Sequence, residues 1–103
     1  MWPAGMEEEM SVAIAEIRQR LVQLGARIDA KVRELSEQGV LHGEARKKAV
    51  ELQIEHARVL KAANAHPPGV RGVIAAELAT DAEILSHSFE RWVAQIDEES
   101  ERR

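Results

Sequence analysis

Four histidines, a few serines and no cysteine set the chemistry open to this 103-residue chain. Without cysteine there can be no disulfide, no thiolate metal site and no cysteine nucleophile. His56 stands out because it falls on an otherwise apolar helical line of Ala45, Ala49, Leu52, Val59 and Ala63. A histidine in such a seam has two readings. It is a polar residue that fixes helix register and is satisfied by one hydrogen bond. Alternatively it is a metal ligand or a general base oriented by a carboxylate. Counting back from the turn near residues 66–69 places His56 level with residues 78–82, so Asp81 is its expected partner. Two ligands are too few for a metal unless a two-fold axis doubles them. The expectation is therefore no metal and no cofactor, with His56 and Asp81 the candidates should one bind.

His87 lies opposite the apolar side of its segment and is expected to face water, with Glu83 one turn before it. The run Ser86-His87-Ser88-Phe89-Glu90-Arg91 resembles, over about three residues, the phospho-accepting helix of histidine kinases and phosphotransfer domains. That resemblance implies a phosphorelay module using His87. The proline and the basic pattern that usually follow are missing, and a plain surface histidine is the expected outcome. A di-iron carboxylate bundle needs inward Glu-x-x-His pairs, and no Glu stands three residues before a His. Residues 69–72, Gly-Val-Arg-Gly, lack the Lys-Ser/Thr of a phosphate-binding loop. No serine has a base-and-acid arrangement beside it, so the chain reads as a non-enzyme.

These residues must sit on helices. The chain is 45% hydrophobic but only 3% aromatic, which disfavours a β-sandwich of this size. Breaks fall at Gly39 and Gly43 and at the run 64–69, where Pro67 and Pro68 stop a helix. Helices are expected at about 7–38, 43–65 and 69–98, with an N-terminal tail 1–6 and a polar tail 99–103. Thr80-Asp81-Ala82-Glu83 resembles a capping box, so a break near 80 is expected in the third helix. Apolar steps of four and three run through Met10, Ile14, Ile17, Leu21, Leu24, Ile28 and Leu35, interrupted by Lys31. Ala75, Leu78, Ala82, Leu85, Phe89, Trp92 and Ile96 repeat the rhythm without interruption. The expected fold is all-α: a three-helix antiparallel bundle of long, coiled-coil-like helices in one domain.

Second apolar lines point to function. Val12, Ala15, Val22, Ala26 and Ala30 flank the first seam, and Val50, Ile54 and Ala57 flank that of the second helix. At about 1.5 Å per residue the first helix would reach roughly 48 Å and overhang the second. A second copy of the chain is the expected cover, since self-association often makes up for a small core. The partner set is thus the chain itself, as a dimer, with another helical protein as the alternative. Trp2 is expected to fold back onto the overhang. A net charge of −4, with no basic half, argues against nucleic acid. No run of residues is long and apolar enough for a membrane span, and the N-terminal residues lack the layout of a secretory signal. A cytoplasmic helical protein–protein interaction module is the resulting expectation.

Overall fold

A computed structural model describes residues 12–101, which form three helices packed side by side. They are α1 (Ile14–Glu37), α2 (Gly43–Asn64) and α3 (Val73–Glu101). Contacts between the early part of α1 and the late part of α2, such as Arg18 with Ala63, make that pair antiparallel. Arg27 with Phe89 and Lys31 with Asp97 make α1 and α3 parallel. The bundle is therefore up-down-up, and elongated at 53 × 29 × 16 Å.

The expected seams form the core. Ile14, Ile17, Leu21, Leu24, Ile28 and Leu35 from α1 are buried against Ala49, Leu52, Val59 and Ala63 of α2. All seven expected residues of α3, Ala75 to Ile96, are buried. The polar interruption, Lys31, keeps its stem in the seam with 15% side-chain exposure. Its ammonium reaches out to Glu34 at 3.2 Å and Asp97 at 3.5 Å. Met10 and Trp2 lie outside the described residues, as does the expected tail 1–6.

The helix boundaries differ from expectation for reasons visible in the loops. The first helix begins at Ile14, and Val12 and Ala13 are not helical; Ala13 is extended at φ −88° and ψ 155°. Ala13 has no side chain to cap the helix. The loop between α2 and α3 does it instead: the Ile14 N–H donates to the Val70 carbonyl at 2.9 Å and the Ala15 N–H to the Pro68 carbonyl at 3.0 Å. Those carbonyls are spent on the N–H groups that a helix start leaves unpaired. Residues 69–72 are therefore loop, and α3 starts at Val73 instead of 69. Gly72 turns the chain into it at φ +84°, a conformation that a side chain would strain. Gly39, at φ +71°, performs the matching turn after α1, where the Val40 N–H returns to the Leu35 carbonyl.

No break occurs near residue 80. The Thr80 hydroxyl donates to the Ala76 carbonyl one turn back, at 3.0 Å, instead of capping a new helix. Ala75, Leu78, Ala82 and Leu85 carry the buried stripe straight across this point. At its other end α3 runs through Glu101, into the segment expected to be a polar tail. The lengths are corrected accordingly: α1 has 24 residues, α2 has 22 and α3 has 29. Within the described residues the overhanging helix is α3, not α1.

Candidate functional site

His56 faces α1. Its Nε2 lies 2.5 Å from the carbonyl of Leu21, so Nε2–H donates there, to an oxygen that also closes a turn of α1. The ring fits because residue 25 is glycine. A Cβ at Gly25 would stand 2.6 Å from His56 Cε1 and 2.7 Å from Nε2, well inside contact distance. The imidazole thus occupies a notch in the backbone of α1 and is half-buried there.

The expected bond from His56 to Asp81 is not made, because the two residues serve different grooves. Asp81 is in the groove between α2 and α3, with Glu51, Glu55, Arg58 and Ser88. That groove holds a shallow cavity of about 160 Å³. Glu55 and Arg58 pair at 2.9 Å across one turn of α2. The hydrogen bond from Arg58 holds the Glu55 carboxyl below its ordinary range. The Glu55 contact, with a smaller contribution from Asp81, raises the Arg58 guanidinium. Among the described residues no three His, Asp or Glu side chains converge as a metal set would require.

His87 is on the outer side of α3, with 66% side-chain exposure, and its Nε2 lies 3.7 Å from Glu83. Ser86 and Ser88 are half-buried beside it.

The second apolar lines are largely outside the core. Val22 and Ile54 are each 61% exposed and Val50 is 45% exposed. Ala15 and Ala26 are exposed too. Helical spacing from the buried seams puts these five on the outer side of the α1–α2 pair. Val12 separates from the line: it is half-buried, packs against the core and lies at one end of the groove between α1 and α3.

That groove holds two adjoining cavities, of about 750 and 500 Å³, which share Arg27. Its α1 edge carries Arg20, Arg27 and Lys31, with Glu34 beyond them beside Lys31, and its α3 edge Glu83, Glu90 and Asp97. Arg27 lies over the ring of Phe89, 5.3 Å from its centre, a cation–π arrangement.

Two residues that shape the bundle carry no distinct signal in the spacing of charges and apolar residues. Arg18 closes the end of α2: its Nε donates to the Ala63 carbonyl at 3.2 Å and its Nη2 to the His66 carbonyl. A cation at the carbonyl end of a helix is favourable. Nothing in the spacing of Arg18 separates it from the other arginines of α1. Gly25 is the second; an isolated glycine within a helical pattern is its one signal, since it marks a close approach.

No known protein family, curated protein or solved structure matches this chain.

Proposed function

We propose that this chain is a non-enzymatic helical protein–protein interaction module that self-associates through the outer face of α1 and α2. The observation that carries this reading is the exposure of Val22, Val50 and Ile54 alongside a core that is complete without them. A large aliphatic side chain left in water forgoes about 1.5–3 kcal/mol of burial. Three such side chains, with Ala15 and Ala26 on either side of Val22 along α1, make a surface whose burial would favour association. The partner is a second copy of the chain, and the cytoplasm is the compartment this reading supposes.

Sedimentation equilibrium at tens of micromolar tests it. The chain should run above its 11.5 kDa monomer mass. Val22→Glu should lower that mass, because it places a charge within an apolar contact. A wild-type chain that runs as a monomer overturns the reading.

A further inference from the structure

The groove between α1 and α3 sets bases on α1 opposite acids on α3; the one acid on its α1 side, Glu34, is paired with Lys31 at 3.2 Å. Arg20 and Arg27 stand one heptad apart on α1, and Glu83, Glu90 and Asp97 stand one heptad apart on α3. Because the helices run parallel, each base lies level with an acid. Arg20 and Glu83 share the first cavity, Arg27 and Glu90 the second, and Lys31 and Asp97 are 3.5 Å apart. Arg20, Arg27 and Glu90 form no ion pair among the described residues. Between the walls the surface is shallow, with Ala30, Ala79, Val93 and Ala94, which lets another helix approach closely.

Charges at the edges of a helical seam choose a partner and its direction. A second copy can lie face to face on this groove in two symmetric ways. With the two-fold axis across the helices, α1 meets α1 and α3 meets α3, and like charges oppose one another. With the axis along the helices, α1 of each copy meets α3 of the other, running the same way and at unchanged height. Arg20 then opposes Glu83 of the second copy, and Arg27 opposes its Glu90, twice over in the pair.

We infer that the α1–α3 groove is a second self-association face, on which two copies pair in parallel with the α1 base wall against the α3 acid wall. This face is separate from the outer α1–α2 surface and does not depend on it. The matched heights decide in its favour: a two-fold axis along the helices needs each base level with an acid, and the wall residues meet that need in succession.

Charge reversal in the Val22→Glu background isolates the groove. With both faces in use the wild type should run above the dimer mass, and Val22→Glu alone should fall to the dimer that the groove holds. Adding Arg20→Glu with Arg27→Glu, or instead Glu83→Arg with Glu90→Arg, should raise the dimer dissociation constant roughly tenfold or more, by opposing like charges. Each reversed chain should keep its helical circular dichroism. An equimolar mixture of the two reversed chains should regain the dimer mass, since every pair is then restored between copies. Raised salt should weaken the Val22→Glu dimer, as exposed pairs are screened. A monomeric Val22→Glu chain whose wild type is dimeric overturns this inference and leaves the outer-face reading standing. Reversed chains that keep the dimer, or a mixture that stays monomeric, also overturn it.

Discussion

Gly25 and His56 form a lock between α1 and α2. The imidazole sits where a side chain at position 25 would be, and its Nε2–H is bound to the carbonyl of Leu21, one turn back on the same helix. A glycine inside a helix costs roughly 0.5–1 kcal/mol relative to alanine. Here the cost is offset by a polar contact that sets how far along one another the two helices lie. Polar seam residues are known to fix register in this way.

The lock predicts a coupled response. In a His56→Ala background, Gly25→Ala should stabilise the protein by about 0.5–1 kcal/mol, the ordinary helix-propensity gain. In the wild type the same change forces the imidazole out of its notch. The gain should then vanish or reverse, giving a coupling of about 1 kcal/mol or more, in the range for residues in direct contact. Denaturant melts of the four proteins measure it, and additive effects would refute the lock.

His56→Leu separates a structural histidine from a ligand site. The variant should fold and stay within about 1 kcal/mol of wild type, as core changes of similar volume do. Wild-type thermal melts should be the same with zinc, nickel or chelator. A metal-induced rise in Tm that His56→Leu abolishes would establish a ligand site instead.

Arg18→Ala should destabilise by about 1–2 kcal/mol, because charged hydrogen bonds to the Ala63 carbonyl in the last turn of α2 and to the His66 carbonyl just after it are lost. Arg18→Lys should recover only part of this, since one ammonium cannot reproduce the spread of a guanidinium reaching both Ala63 and His66. Thermal or urea melts read both. Wild-type stability in Arg18→Ala would show that the contacts contribute nothing.

The interior was legible in the sequence. Apolar steps of three and four name the buried faces of all three helices and mark Lys31 as an interruption, without showing that its side chain reaches outward. Boundaries were harder, because they depend on distant partners. Residues 69–72 have helical neighbours, but the Val70 carbonyl, like that of Pro68, goes to α1, and Thr80 has the sequence of a cap but bonds backwards. His56 is legible as the polar seam residue. Its partner is not, because seam spacing leaves open which of two neighbouring helices a ring will face. The glycine notch decides that, and an apolar pattern carries no term for a missing side chain. The charge rows were present in the sequence as heptad spacings. Their equal heights needed the parallel course of α1 and α3.

The hydrogen bonds from Ile14 and Ala15 to the loop before α3 close the molecule into a ring of dependencies. The first turn of α1 has no cap from its own neighbours and borrows one from residues 68 and 70. Arg18, just above, ties the same helix to the end of α2. One end of the bundle is thus a knot joining the start of the first helix, the end of the second and the approach to the third. Opening any one of these exposes backbone groups of the others, so they are expected to loosen as a single cooperative unit. A helical hairpin cut after α2 would lack that knot, and the third helix is in this sense the fastener of the first.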